Sequence, residues 1–469
     1  MVPLQHSNPP CPSLSSPPVV YRLYKQRFVG LVGLVFLNII SAMSWPWFGP
    51  ISNNVSKELD ITLDQVNWLG NIIACVYLPT TLLIPPVVSK YGISRCCQIG
   101  AVALILSAWI RYAGTSRTLS GSGAYALLII GQLFAAIAQP IYQVLGPKYS
   151  ETWFDLRGRT TATMIIAISN PIGGALGQLV SPLVGDTRKS ILVLGILSTA
   201  VTPLVFLVSN APPTPPTYAG SKPSPPLQSL LLAMIGKENM TSDAYMSPRS
   251  RVDFAIVMLL FGVLVAATNT FAILSAQILE PVGYSEDISG LMGACLLLTG
   301  IVAAIVTAPI FDRIFTHHLA ITSKILVPIL GGTWLSLIWA VKPNNMAGLF
   351  VIMTILGVCS ITMLPIGLEL GCDLTRNADG SSAILWFMGN LFGIMFVLVE
   401  SALRAGPDAQ PPLNMRRALI FNGTFVAVTA SLVIFVRGKQ ERKQLDEDKI
   451  REVNMRPTQR TNNTVATHS

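Results

Sequence analysis

The stretch from Val66 to Gly114, VNWLGNIIACVYLPTTLLIPPVVSKYGISRCCQIGAVALILSAWIRYAG, decides how the rest of the chain is read. It holds two apolar runs, 66–88 and 97–114, on either side of the polar turn Ser89-Lys90-Tyr91-Gly92-Ile93-Ser94-Arg95. A hydrocarbon layer of ~30 Å is crossed by about 20 apolar residues in a helix rising 1.5 Å per residue. Each run is therefore expected to cross a membrane once, and the turn sends the chain back. Strands are excluded because a membrane strand is a ~10-residue segment of alternating polarity. Lipid also leaves no open sheet edge satisfied.

Working outward, ten more such runs appear at 28–49, 124–146, 161–184, 191–208, 254–279, 288–310, 321–341, 346–370, 381–402 and 418–436. The expected fold is an all-α membrane protein with twelve transmembrane helices in two six-helix halves, 28–209 and 253–436. Tails at 1–27 and 437–469 flank them, and a Pro-rich linker, 210–252, joins them. The linker carries Pro212, Pro213, Pro215, Pro216, Pro223, Pro225 and Pro226, so it is expected to be extended, with a short interfacial helix over 227–235. With 51% hydrophobic and only 12% charged residues and a mean hydropathy of +0.56, a water-soluble enzyme is excluded. The seven cysteines lie in apolar runs, at their ends or in the N-terminal tail, which gives no disulfide framework.

The net charge of +9 would suggest nucleic acid in a soluble protein, but here it sets topology. With alternating spans, 23 of the 32 Lys and Arg and 14 of the 23 acids fall on the side of the N-terminus, so the whole excess lies there. Both termini and the linker are therefore expected to be cytosolic, facing anionic lipid head groups. The expected location is the plasma membrane or a vacuolar or lysosomal membrane. A monomer without nucleic-acid partners or cofactors is the accompanying expectation.

The turn around Lys90 resembles the GxxxDRxGRR signature of the major facilitator superfamily, with Ser89 in place of the Asp and Pro85 in place of the first Gly. Lys90, Gly92 and a displaced Arg95 remain, and Asp312-Arg313 echoes the signature at the equivalent point of the second half. In span 5, Asn170-Pro171-Ile172-Gly173-Gly174-Ala175-Leu176-Gly177 has two readings. Gly173 and Gly177 permit close helix packing, and Pro171 frees a carbonyl that lines a cavity or hinges a gate.

Further motifs carry a narrower resemblance. They are Ser44-Trp45-Pro46-Trp47-Phe48-Gly49-Pro50-Ile51-Ser52-Asn53, Gln65-Val66-Asn67-Trp68-Leu69, Ala138-Gln139, Glu151-Thr152-Trp153-Phe154, Arg159 to Thr163, Gln277 to Leu279, and Leu368-Glu369-Leu370 with Asp373. Together they are similar to the feline leukaemia virus subgroup C receptor family, and most to its poorly characterised branch rather than its choline and haem members. That resemblance implies a transporter whose cargo sits at the membrane midplane in an aromatic cage helped by glutamines. Trp45 and Gln139 match the family's span 1 tryptophan and span 4 glutamine, whereas Asn269 and Asn390 stand where the family has a tyrosine and a glutamine. Gln277 is a further candidate contact, and Trp47, Tyr142 or Trp386 is available as a second ring.

The expected function is alternating-access transport of a small organic solute, as a facilitator of a cationic or neutral metabolite such as a choline-like amine. The alternatives are an exporter of haem or another metabolite, a proton-coupled carrier, and a non-transporting receptor or sensor. Haem would use an axial ligand, but His6, His317, His318 and His468 all lie outside the spans. No metal cluster or nucleophile-base pair marks an enzyme. Spans 1 to 6 hold no acid well inside their runs. Glu369 and Asp373 share a helix face at the cytosolic end of span 10, as a clamp toward Arg376 or the neighbouring basic loops. Arg111 and Glu400 lie near outer span ends, from which long side chains reach the interface. Asn71, Gln139, Asn170, Gln178, Asn269, Gln277 and Asn390 either line a path or bond helix to helix. Asn54-Val55-Ser56 is a glycosylation sequon in the first external loop.

Overall fold

In a computed structural model, residues 21–48, 51–184, 186–221, 225–240, 242, 245–284, 286–310, 319–406, 408–438, 448 and 451 are described. Among them every regular element is a helix. The first is α1 (Gln26–Met43), which ends short of the apolar run because Pro46 withholds a backbone donor and biases Trp45 away from helix. Residues 44–48 continue as turn, so Trp45 is presented on an unwound segment. A short external helix, α2 (Ser52–Leu59), leads to α3 (Leu63–Ala113), which opens with a capping box between Thr62 and Gln65.

At 51 residues α3 is far too long for one crossing, and it breaks at Gly92, whose φ of 81° lies in the left-handed region. Asn210 Oδ1 accepts the Ser94 amide at 2.7 Å and so caps the second rod. A Cβ at Gly92 would sit 2.6 Å from that same oxygen, so glycine is required twice over. The two spans expected from this stretch are the two arms of α3.

The remaining elements are α4 (Gly121–Trp153), α5 (Arg159–Leu183), α6 (Thr187–Val201), α7 (Tyr218–Ser221), α8 (Leu227–Met234), α9 (Pro248–Leu279), α10 (Glu286–Ile310), α11 (Leu319–Ala340), α12 (Met346–Thr375), α13 (Ala378–Ala402) and α14 (Arg416–Ser431). Single 3-10 turns, Thr202–Leu207 and Leu432–Phe435, extend α6 and α14. Ten helices among the described residues are long and apolar enough to cross a membrane. The broken α3 supplies two crossings, and α10, with its apolar stretch Leu291–Thr307, completes twelve.

Two apolar cores hold the assembly. One joins α1, α3, α4 and α5 to the inner parts of α9, α12 and α13; the other fills the second half around Trp334, Phe271 and Phe396. The linker differs from the extended segment expected. Thr217 is fully buried and accepts from Arg159 Nη2 at 3.0 Å, Tyr24 and Thr214 share a hydroxyl bond of 2.8 Å, and Leu230 and Ala233 of α8 bury into the first core. Proline-rich sequence needs no core of its own when the bundle underneath supplies one.

Close packing is what the span 5 glycines serve. A Cβ at Gly173 would run into the Ile39 carbonyl of α1, and one at Gly177 would stand 2.6 Å from the Met43 carbonyl oxygen. Asn38 ties the same pair of helices, donating to Ile166 O at 2.9 Å and Ser169 Oγ at 2.8 Å. Helix α5 runs continuously through Asn170 and Pro171.

Candidate functional site

Trp45 sits just beyond α1, Gln139 on α4, Asn170 and Pro171 on α5, Asn269 on α9 and Asn390 on α13, and all of them line one cavity of about 180 Å³ between the halves. A single water needs only ~10–15 Å³ measured this way, so the space holds a small organic solute. Tyr77 and Gln143 close one wall, with the tyrosine hydroxyl donating to Gln143 Oε1 at 2.7 Å. Phe261 and Trp386 form another, edge to face with ring centres 5.2 Å apart. Asn390 Nδ2 donates to Trp386 O at 2.9 Å. No Asp, Glu, Lys, Arg or His is among the lining residues.

Among the described residues four lining atoms are buried without a hydrogen-bond partner, Gln139 Oε1 on one half and Thr270 Oγ1, Ser360 Oγ and Trp386 Nε1 on the other. A buried polar atom left unpaired costs ~1–3 kcal/mol, which a ligand presenting the complementary group recovers. The cavity therefore offers rings, carboxamides and hydroxyls to a solute and no charge of either sign.

Gln277 does not belong to this group. It stands eight residues beyond Asn269, about 12 Å further along α9, is exposed, and accepts from Arg404 Nη1 at 3.1 Å. The alternative rings also separate. Trp47 is fully buried against Ser190, and Tyr142 donates to the Cys97 carbonyl at 3.0 Å, so both are packing residues and Trp386 alone of the three reaches the cavity. Tyr77 and Gln143 escaped the sequence reading. Gln143 follows Gln139 by four residues, so helical spacing was the signal for it.

Beneath the cavity, on the face that carries the linker, the halves are pressed together. The C-terminal part of α4, the start of α5, the end of α12 and the start of α13 are almost continuously buried there. Glu369, 2% exposed, accepts a hydrogen bond from Thr163, whose hydroxyl is also 2.6 Å from Ser150 Oγ. Asp373 is buried in the same region. Arg376, one of the expected partners of this acid pair, has a left-handed φ of 55° as the α12 cap and donates to Tyr245 O at 2.6 Å. Asn377 donates to Pro225 O at 2.8 Å, tying the linker to this closure.

The signature turn is peripheral. Lys90 is exposed over the Tyr91 ring, and Arg95 is exposed and donates to Gln98 at 3.1 Å. Asp312, Arg313, His317 and His318 lie outside the described residues. Asn54 is exposed on α2, within a helix rather than an open loop. Arg111 and Glu400 do not reach out to the interface. Both are buried, Glu400 accepting from Asn422 Nδ2 at 2.7 Å and Arg111 donating to Gln132 Oε1 at 2.9 Å. In each case a carboxamide on the neighbouring helix captures the side chain before it can extend to water. Among the described residues no cluster of metal-binding side chains occurs, and six cysteines are free.

A bundle of twelve crossings around a midplane cavity, shut on one face, is the architecture of a membrane transporter. The profile of the Major Facilitator Superfamily matches residues 34–398, and the chain belongs to that superfamily. Solute carrier family 49 member A3 of Xenopus tropicalis is 25% identical over 433 residues, covering 88% of this chain and 86% of its own. The choline/ethanolamine transporter FLVCR2 of Homo sapiens is 21% identical over 447 residues, covering 92% and 80%. Among solved structures, a double-tryptophan mutant of XylE superposes with a TM-score of 0.67 at 13% identity, over 92% of this chain and 99% of that one. The Escherichia coli fucose:proton symporter FucP gives 0.62 at 11% identity, over 88% and 99%. These two carry the fold. The chain is a multi-pass membrane transporter of the solute carrier type.

Proposed function

We propose that this transporter is a facilitator of a small cationic or neutral metabolite, such as a choline-like amine, and that the central cavity is its binding site. The observation that carries this reading is the lining itself, which combines the rings of Trp45, Tyr77, Phe261 and Trp386 with the carboxamides of Gln139, Gln143, Asn170, Asn269 and Asn390 and no charged group. A quaternary ammonium is held by ring faces without a carboxylate, each worth ~1–2 kcal/mol when desolvated. A proton-coupled carrier would use an acid in the path, and a haem carrier would use an axial ligand and cations for the propionates. The lining favours neither. Similarity to proteins named as choline/ethanolamine transporters supports the same class of cargo.

In this reading the halves 28–209 and 253–436 rock about the cavity as rigid bodies, joined by the linker 210–252. The Glu369 closure is the cytosolic gate, both termini are cytosolic, and the protein works as a monomer. Uptake of labelled choline and a panel of neutral and cationic metabolites into proteoliposomes tests it. Trp45→Ala is expected to weaken binding of the transported solute by about 5- to 30-fold, from the ~1–2 kcal/mol of one cation–ring contact. Undiminished flux in that variant, or no flux for any solute in the parent, would refute the cage.

A further inference from the structure

The Arg111 side chain is fully buried near the end of α3, at the opposite membrane face from the linker. A guanidinium carries five donors and a permanent positive charge. Nε donates to Ser107 O at 3.2 Å and Nη1 to Gln132 Oε1 at 2.9 Å, while Nη2 is buried with no partner. No carboxylate pairs with Arg111 among the described residues. An unneutralised charge inside a bundle is among the most costly arrangements a membrane protein can hold.

The surroundings add further buried polar groups without a partner. Ser107 lies one helical turn before Arg111, and its hydroxyl is buried without a partner. Gln132 Nε2 donates to Leu69 O at 2.9 Å and to Ser44 O at 3.5 Å, and the Ser44 hydroxyl is likewise buried and unpartnered. Arg111 Nη2 and the hydroxyls of two serines whose carbonyls accept from Arg111 and Gln132 are thus all buried without a partner. The charged groups on the neighbouring outer loops add a further cation. Arg188 lies 5.3 Å over the ring of Tyr112 and donates to Thr115 O at 3.4 Å, while two acids of these loops are taken up by backbone amides, Glu58 by Thr187 at 3.1 Å and Asp186 by Lys189 at 2.9 Å.

We propose that the Arg111, Ser107 and Ser44 node is a binding site for a small monovalent anion of the halide type. An anion supplies the missing acceptor to Nη2 and the two hydroxyls and neutralises the guanidinium in the same step. Its position gives it leverage on the cavity. Gln132, fixed by Arg111, also holds the Ser44 carbonyl, and Ser44 immediately precedes Trp45. An anion that sets Arg111 therefore sets the unwound segment carrying the cage tryptophan. This last link rests on the proposed cavity function, whereas the anion site itself does not.

Melting of the purified protein in chloride, bromide and gluconate at equal ionic strength tests binding without any substrate. A saturable stabilisation by chloride and bromide but not gluconate is expected, with bromide anomalous density at Arg111 Nη2 in crystals. Arg111→Gln is expected to abolish the halide response, and Ser107→Ala, which keeps the charge and serves if the first variant does not fold, to raise the half-saturating halide concentration about tenfold. Melting indifferent to halide, a response that survives Arg111→Gln or is unaltered by Ser107→Ala, or a water at Nη2 instead of bromide would overturn the site. Halide binding with halide-independent transport would leave the site standing and remove only its link to Trp45.

Discussion

The two membrane faces of this protein handle buried polarity in different ways. On the linker face a set of bonds crosses between bodies: Thr163 of the first half to Glu369 of the second, and the linker to Arg159 on one side and to Asn377 on the other. At the opposite face the buried bonds among the described residues stay within one half. Arg111 and Gln132 join α3 and α4, Glu400 and Asn422 join α13 and α14, and Gln277 meets Arg404. Bonds within a half make it rigid, and bonds between halves form only in the conformation that brings them together. A rocking transporter requires both kinds, and the closed face is where the second kind is found.

That contrast can be broken from either side. The largest effect is expected for Asn422→Leu, which leaves the buried Glu400 carboxyl without its donor inside a rigid half. Stability should fall by about 2–3 kcal/mol in chemical or thermal unfolding, whichever way the transporter faces. Thr163→Val should remove the bond to Glu369, about 1.5 kcal/mol and present in the closed state alone, together with the Ser150 bond inside the first half, which is lost in open and closed states alike. The population closed on the linker face should drop roughly tenfold against the open one. Distances between spin labels on the linker-face ends of α4 and α13 read that shift. A variant that unfolds without changing those distances would contradict the division into rigid halves and a breakable closure.

The smallest effect sharpens the distinction between cavity and rim. Gln277→Ala removes an exposed contact and should change stability by less than ~0.5 kcal/mol, with flux unaltered. A loss of transport in this variant would return Gln277 to the site.

Much of the fold was legible in order along the chain. Run length and apolarity located the crossings, and Gly92 in the polar turn marked where α3 folds back. The site was legible only in part. Trp45, Gln139, Asn170, Asn269 and Asn390 were found as polar or aromatic residues inside spans, and they meet in one cavity. Gln277 had the same credentials and lies elsewhere, because distance along a helix, not residue type, decides which midplane a carboxamide reaches. Arg111 and Glu400 turn inward for a related reason. Near a span end a long side chain can extend to water or turn inward, and which it does depends on the helix beside it. Gln132 is 21 residues from Arg111 and Asn422 is 22 from Glu400, and nothing in the linear pattern marks either pair.

By itself the sequence determined that the chain is a helical membrane protein of twelve crossings with a resemblance to a transporter family, since ~30 Å of hydrocarbon admits few ways to satisfy a backbone and each leaves its own period. Tertiary structure alone decided which polar groups face the solute, which close the linker face and which lock the two halves internally. The linker shows the difference most plainly. Its prolines exclude a core of its own, yet Thr217, Leu230 and Ala233 are buried because the bundle provides the surface they pack on. Burial and hydrogen-bond partners are properties of pairs of helices, and no single helix carries them in its own sequence.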